Sequence, residues 1–147
     1  MRFEEDLEIG LAARFPMMLV STLEEERALD AIKSVCTKTQ RHCLAWDGAE
    51  GFFWIVPSTE ASPIARDPMT ALEHIDKADV KTGTVYILRD FNEYWDNPQI
   101  KRKLRSLCQR LKYTKKFIVV ISSTSRIPEE LKDEAVFLEL PLPTAVE

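Results

Sequence analysis

The sequence predicts an α/β fold in which a mainly parallel sheet is covered by helices on both faces. Segments such as 84–88 and 117–121 are unbroken apolar runs, whereas a strand with one solvated face would alternate apolar and polar residues. Stretches with apolar residues at helical spacing separate these runs along the chain. The 147 residues are 45% hydrophobic and 30% charged, which is typical of one globular domain. We therefore treat residues 1–147 as a single domain.

The first elements follow from apolar spacing and from end signals. Residues 4–14 have the spacing of a short amphipathic helix, and 16–22 read as a strand with a proline at its start, where proline is tolerated. Thr22 is predicted to cap the second helix, with Glu25 three residues later as its capping-box partner. This helix is expected to end near Gln40.

The middle of the chain contains two short apolar segments and a strong helix start. Residues 42–46 form the predicted second strand, and 51–56 form either a further strand or one arm of a hairpin. A polar loop with two prolines is expected over 57–66. Asp67 followed by Pro68 is a typical beginning of a helix, because aspartate caps the free N–H groups and proline suits the first turn.

The second half of the chain is the more regular part. A buried strand is predicted at 84–88, and the clearest helix spans 97–112, with apolar residues along one side and bases on the rest. Another continuous apolar strand covers 117–121. Pro128 starts a short helical turn, and the last strand is expected at 136–140. The alternation of strands and helices is typical of crossover connections in a parallel sheet.

The charges of the chain are segregated although its net charge is only −4. Residues 1–30 hold eight acids and three bases, whereas 97–128 hold nine bases and no acid. The basic stretch is either a solvated helix face or a surface that contacts another domain or subunit. Nucleic acid is disfavoured, because Tyr113 is the one aromatic residue interleaved with the bases of 101–116. The candidate contact residues on this face are Lys101, Arg102, Arg105 and Arg110.

Three further residues are candidates for a site. Asp47 and Asp90 follow apolar runs, and open α/β sheets bind ligands at the carboxyl ends of their strands. Together they would bind Mg²⁺ or serve as acid and base in an enzyme, although no third ligand is evident and Asp47-Gly48 is also a common turn. Trp95 lies beside the basic helix, where it is either an exposed anchor for a partner or a core residue.

The compartment follows from cysteine usage and from hydropathy. Three widely spaced cysteines without a C-x-x-C pair indicate reduced thiols, as expected in the cytoplasm or an equivalent compartment. No run reaches the ~18 apolar residues that a membrane span needs, and the acidic N-terminus lacks a signal-peptide core. We expect no contact with a membrane.

A phosphate-binding loop is missing from the sequence. In P-loop nucleotide-binding proteins a glycine-rich loop with a lysine follows the first strand, but here residues 21–27 read Ser-Thr-Leu-Glu-Glu-Glu-Arg. The whole chain has four glycines and no G-x-x-x-x-G-K-[ST]. Three glutamates in the first helical turn occupy the potential that would otherwise attract a phosphate. The sequence therefore predicts that this chain does not hydrolyse ATP.

Several segments together resemble the core of AAA+ ATPases. Residues 85–90 resemble a Walker B strand that ends in Asp90, residues 117–128 resemble the sensor-1 strand and loop, and 137–143 are similar to the fifth core strand and the Pro-Leu-Pro after it. The resemblance implies a three-layer sandwich with a mostly parallel five-stranded sheet. The implied strand order is 136–140, 16–22, 117–121, 84–88, 42–46.

The departures from this pattern concern catalysis. Phe91 stands where the catalytic glutamate is expected, and Ser125 stands at the position of the sensor-1 asparagine. With the P-loop also missing, the chain resembles a degenerate AAA+ domain without catalytic or cofactor-binding residues. Asp90 and Ser125 would then be vestiges of the nucleotide site.

A closer resemblance is to the N-terminal domain of AAA-domain proteins from cyanobacteria, other bacteria and algal plastids. It rests on segments 3–8, 24–27 and 88–91 and on Pro-Leu-Pro near the C-terminus. It implies a non-hydrolysing part of a longer ATPase, with a regulatory or assembly role. It also implies that ATP and Mg²⁺ bind the attached AAA domain, in the cytoplasm or the plastid stroma. The implied partners are that domain, further copies of the chain or another protein.

Overall fold

A computed structural model describes residues 2–58 and 65–141. Most of the predicted 57–66 loop and the end of the Pro-Leu-Pro segment lie outside these ranges. The helices are α1 (Arg2–Ala12), α2 (Glu25–Lys38), α3 (Pro68–Lys77) and α4 (Pro98–Leu111). The strands are β1 (Met17–Ser21), β2 (His42–Asp47), β3 (Gly51–Val56), β4 (Thr84–Arg89), β5 (Lys116–Ser122) and β6 (Ala135–Leu138). Short 3₁₀ turns span Phe91–Glu93 and Glu129–Glu134.

The described strands form one sheet in the order β3-β2-β4-β5-β1-β6. All neighbouring pairs are parallel except β2 and β3, which are antiparallel. The order predicted for the five parallel strands is confirmed. The sixth strand, β3, resolves the alternative left open for 51–56, because a turn between Asp47 and Gly51 is too short for a parallel crossover. Gly51 has a φ of 82°, which favours glycine at the end of this turn.

The sheet separates two hydrophobic cores, which makes the fold a three-layer sandwich. Met17 and Leu19 of β1 face one side, and Met18 and Val20 face the other. The first core is completed by the buried faces of α3 and α4. The second is completed by α1 and α2. The unbroken apolar strands of the sequence therefore have the expected cause, which is burial on both faces.

The ends of two helices test the capping predictions, and a third helix has a cap that was not predicted. Asp67 caps α3 as expected, because its Oδ2 accepts from Thr70 N at 3.0 Å. Asn97 caps α4 through bonds from Gln99 N and Ile100 N. The cap predicted for α2 is wrong, since Thr22 Oγ1 accepts from Glu24 N and the helix begins only at Glu25. Thr22 N donates to Ser122 O at 2.8 Å, so the residue continues the strand ladder instead of capping the helix.

Lys116 ties the start of β5 to the end of α3. Its Nζ donates to the carbonyl oxygens of Ile75, Asp76 and Ala78 at 2.7, 3.0 and 2.9 Å. These carbonyls belong to the last turn of α3 and its cap, where oxygens have no partner within the helix. Burial lowers the pKa of the Lys116 ammonium. The strand begins one residue earlier than predicted because Lys116 already pairs with Thr84 of β4. None of the helices within the described ranges is long and apolar enough to cross a membrane.

Candidate functional site

The carboxyl ends of β2 and β4 are joined by an ion pair. Arg89 Nη2 lies 2.5 Å from Asp47 Oδ2. The other oxygen of Asp47 accepts from Ala49 N at 2.9 Å and from Glu50 N at 2.8 Å. Both oxygens of this carboxylate are therefore engaged within the chain, one by a guanidinium and one by the β2–β3 turn.

The Arg89 guanidinium connects further elements at the same edge. Its Nη1 lies 3.8 Å from Glu25 Oε2 at the start of α2, and its Cζ lies 4.7 Å from the centre of the Phe53 ring on β3. The side chain is 15% exposed. Sequence reasoning missed Arg89. Its place directly before Asp90, at the end of a buried strand, was the available signal.

Asp90 differs from Asp47 in its exposure, its backbone conformation and its partners. It is exposed, it has a left-handed φ of 58°, and its backbone N donates to Ile121 O. Among the residues that the structure describes, its carboxylate has neither a hydrogen bond nor an ion pair. Asp47 and Asp90 nevertheless line one cavity of about 330 Å³, together with Glu25, Arg89 and Glu93. The structure thus brings the two predicted carboxylates to one cavity. Of the two, only the Asp90 carboxylate is free to bind a ligand there.

The connection from β1 to α2 determines what this edge can bind. β1 ends at Ser21 and α2 begins at Glu25, so three residues connect them. An eight-residue P-loop cannot be accommodated in that length. Glu24 accepts from Arg27 at 3.0 Å, and Glu25 faces Arg89, so carboxylates surround the N-terminus of α2. These residues do not fit a triphosphate. Within the described ranges, no group of three His, Cys, Asp or Glu side chains is arranged to hold a metal ion.

Trp95 lies in the core and not on the surface. Its side chain is fully buried in the cluster beneath α3 and α4, so the interpretation as an exposed anchor is wrong and core packing is correct. The 3₁₀ turn Phe91–Glu93 comes shortly before Trp95 in the chain, and Phe91 of this turn belongs to the same buried cluster. Phe91 is buried by the same turn, with its ring centre 5.6 Å from that of Trp46.

Ser125 is separate from this cavity. It is an exposed residue of the loop after β5, and it is not among the residues that line the 330 Å³ cavity. The neighbouring Ser122 hydroxyl bonds to Thr124 O and so shapes the start of this loop. Ser125 therefore does not line the cavity that contains Asp90.

The basic face of α4 is largely neutralised by acids of the same chain. Lys101 pairs with Glu130 at 2.8 Å, and Asp76 receives both Lys103 at 2.9 Å and Arg110 at 2.8 Å. Although partial burial acts in the opposite direction, the hydrogen bonds from these two bases lower the pKa of Asp76. Three bases of this face thus form ion pairs within the chain.

The four candidate contact residues differ in exposure. Arg102 and Arg110 are exposed, whereas Lys101 and Arg105 are half-buried. Among the ion pairs formed within 2–58 and 65–141, none includes Arg102. Arg102 is therefore the member of this set whose charge is exposed and not neutralised by an internal partner.

Comparison with known proteins matches this chain to a family. Residues 3–140 match the family model described as SpoVK-like AAA ATPase, N-terminal domain. The AAA domain-containing protein ycf46 of Guillardia theta is 38% identical over 97% of this chain, which covers 28% of that protein. The ycf46 protein of Pyropia yezoensis is 30% identical over 100% of the chain, which covers 30% of its length. The chain thus spans less than a third of these relatives.

Solved structures agree on the fold. A chain in the structure of Drosophila ORC bound to AT-rich DNA and Cdc6 superposes with a TM-score of 0.55 at 12% identity. The match covers 94% of this chain and 52% of that chain. At this identity the likeness concerns the fold alone, and it agrees with the AAA+-like α/β core predicted from the sequence. With the family model matching nearly the whole chain, this protein belongs to the SpoVK-like AAA ATPase N-terminal domain family.

Proposed function

We propose that this chain is a non-catalytic domain that regulates or assembles an attached AAA ATPase. The observation that carries the proposal is the three-residue connection between β1 and α2, which leaves no room for a phosphate loop. Arg89 and Asp47 neutralise each other at the strand ends, and Phe91 is buried where a catalytic glutamate would be needed. Without a phosphate clamp and a residue that orients water, hydrolysis has no support here.

The nucleotide chemistry belongs, in this proposal, to another part of the protein. The relatives are AAA domain-containing proteins of which this chain covers less than a third. ATP and Mg²⁺ would bind the attached AAA domain, and the cavity of Asp47 and Asp90 in this chain would bind neither. We place the protein in the cytoplasm or, for plastid-encoded relatives, in the stroma.

The proposed contact surface is the solvent side of α4. Lys101 forms an ion pair with Glu130, and Arg110 forms one with Asp76. A partner would have to compete with those acids. Arg102 is exposed beside a shallow groove of about 540 Å³ that Met69 and Pro98 also line. A charge on a groove rim adds mainly to the rate and specificity of association. The partner would be the AAA domain, a second copy or another protein with an acidic face.

The contact is tested with the protein expressed from its complete reading frame. Arg102→Glu should weaken assembly in sedimentation velocity and lower the ATPase rate, with a larger effect at low salt. Lys33→Glu is the matched control, because Lys33 is also exposed and also outside the ion pairs of the described residues. Equal behaviour of both variants and the wild type would show that α4 is only a solvated face.

The enzymatic alternative is tested on this 147-residue chain. Under the proposal, no phosphate is released from Mg-ATP above background, and calorimetry shows no binding of Mg-ATP that depends on Asp90. Micromolar binding of Mg-ATP that Asp90→Asn abolishes would instead support a nucleotide- or metal-binding protein that uses Asp47 and Asp90. Asp30→Asn is the control, because it removes one exposed carboxylate of α2, outside the cavity.

A further inference from the structure

A basic cavity lies at the N-terminal ends of the parallel strands. The Arg89–Asp47 pair lies at their carboxyl ends. It has a volume of about 390 Å³, and it is bordered by the ends of α1 and α2 and by the residues just before β2, β4 and β5. Four cationic side chains line it, and no aspartate or glutamate is among its lining residues. The four are Arg14, Arg41, Lys81 and Lys115.

The charge of this cavity is not neutralised from within. None of its four cations belongs to an ion pair formed in the part of the chain that the structure describes. By contrast, three bases of α4 form ion pairs with Asp76 or Glu130. Lys115 Nζ donates to Lys81 O at 3.3 Å, which holds the two lysines side by side. Like charges gathered without a counter-charge create a positive potential that an external anion relieves.

The arginine at the centre of the cavity is positioned by packing. Arg41 Cζ lies 5.8 Å from the centre of the Phe117 ring. On its other side it lies against Gly83, where an added Cβ would be 3.3 Å from Arg41 Cγ. A guanidinium held in this way loses little freedom when it binds, and its planar fork matches the oxygens of a phosphate.

Arg14 occupies a backbone position that favours glycine. It has a φ of 62° and follows the last turn of α1, where Phe15 N donates to Gly10 O at 3.1 Å. The C-terminal end of α2 has the same geometry, with Gln40 at a φ of 58°. Glycine is the residue best suited to such a helix end, so an arginine there costs stability and places a cation at the cavity rim. A substitution of Arg14 by glycine removes the charge and suits the backbone. The effect of the charge on binding can therefore be measured without a loss of stability.

We propose that this cavity binds a small ligand that carries two or more phosphate groups. Four cations around 390 Å³ match several negative charges on a compact molecule, and the volume is that of a small-molecule site. A long nucleic acid is less suitable, because the chain has a net charge of −4 and eight acids in its first 30 residues. Charge-assisted bonds from arginine and lysine would supply the affinity. This site is independent of the α4 surface and of the proposed function.

Titration calorimetry of the 147-residue chain with inorganic pyrophosphate, without Mg²⁺ and at low salt, tests the proposal. We expect saturable binding at one site that weakens as salt rises, and weaker binding of orthophosphate. The double variant Lys81→Gln/Lys115→Gln should bind pyrophosphate at least about tenfold more weakly, because it removes two charge-assisted contacts. Both lysines are exposed, so folding should be unaffected. Lys33→Gln is the control that removes an exposed charge outside the cavity.

Arg14→Gly is the most informative variant. It should also bind pyrophosphate about tenfold more weakly, yet melt at the same or a higher temperature, because glycine suits a φ of 62°. The proposal is overturned if the wild type shows no saturable binding, or if the cavity variants bind as tightly as Lys33→Gln. Single-stranded DNA that binds more tightly than pyrophosphate and is lost in the same variants would also overturn it, in favour of a nucleic-acid surface.

Discussion

Arg89 and Asp47, 42 residues apart in the chain, form an ion pair of 2.5 Å at the edge where related folds bind nucleotide. The guanidinium also approaches Glu25 at 3.8 Å, so it connects β4, β2 and α2. The Arg89 guanidinium thus lies among carboxylates of the same chain, at the place where related folds bind a phosphate and its metal ion. At this edge, Arg89 therefore contacts acidic residues of two other elements of the chain.

Removal of the Arg89 side chain should destabilise the fold more than removal of its partner's charge. Arg89→Gln leaves the half-buried Asp47 and Glu25 without their counter-charge, which we expect to cost about 1–3 kcal/mol in urea unfolding. Asp47→Asn keeps the turn acceptor for Ala49 N and should cost less. Asp47→Ala removes both roles. If Asp47→Asn and Asp47→Ala unfold alike, the turn bonds contribute nothing.

Trp95 should behave as a core residue. Because its side chain is fully buried, Trp95→Ala is expected to lower the free energy of unfolding by about 3–5 kcal/mol, and Trp95→Phe by less. Thermal unfolding followed by circular dichroism measures both. Tyr113→Ala is the control, since that aromatic side chain is 86% exposed. Equal and small effects of the Trp95 and Tyr113 substitutions would contradict the packing described for Trp95.

Lys116 should stabilise the junction of α3 and β5. Lys116→Met keeps the length of the side chain but leaves three carbonyl oxygens without their donor, at an expected cost of about 2–3 kcal/mol. Lys77→Met removes an exposed charge from α3 and should change stability little. Hydrogen exchange would show the loss at the last turn of α3. A Lys116→Met protein as stable as Lys77→Met would show that water replaces the lysine there.

Asp76 should make stability depend on pH in the acid range. Its folded-state pKa is lowered, so the stabilisation it contributes is fully present above the unfolded-state pKa and is lost as pH falls through the folded-state pKa. Asp76→Asn should therefore be less stable than the wild type at neutral pH, by about 1 kcal/mol, and the difference should shrink below about pH 4. Denaturant unfolding across this range measures it. Asp30→Asn, at an exposed position, should show no such trend.

The sequence by itself determined the α/β class and the cap of one helix. Apolar runs such as 84–88 leave no polar face for solvent, so a parallel sheet covered on both sides was the structure they permitted. Asp67 caps α3 as predicted because the cap is a local interaction, made with an N–H group three residues away. The order of the five parallel strands came from the resemblance to AAA+ cores, and it is confirmed.

Only the tertiary structure decided what lies together at the two edges of the sheet. Arg89 pairs with Asp47, 42 residues away. Lys103 and Arg110 bind Asp76 from 27 and 34 residues away. No local sequence pattern predicts pairs at such separations. Thr22 does not cap α2 because its hydroxyl accepts from Glu24 N, before the helix begins at Glu25, while its own N–H group extends the ladder to β5. Contacts over such separations depend on where the crossover helices place each strand. That placement also decided which cations stayed free, as in the cavity around Arg41.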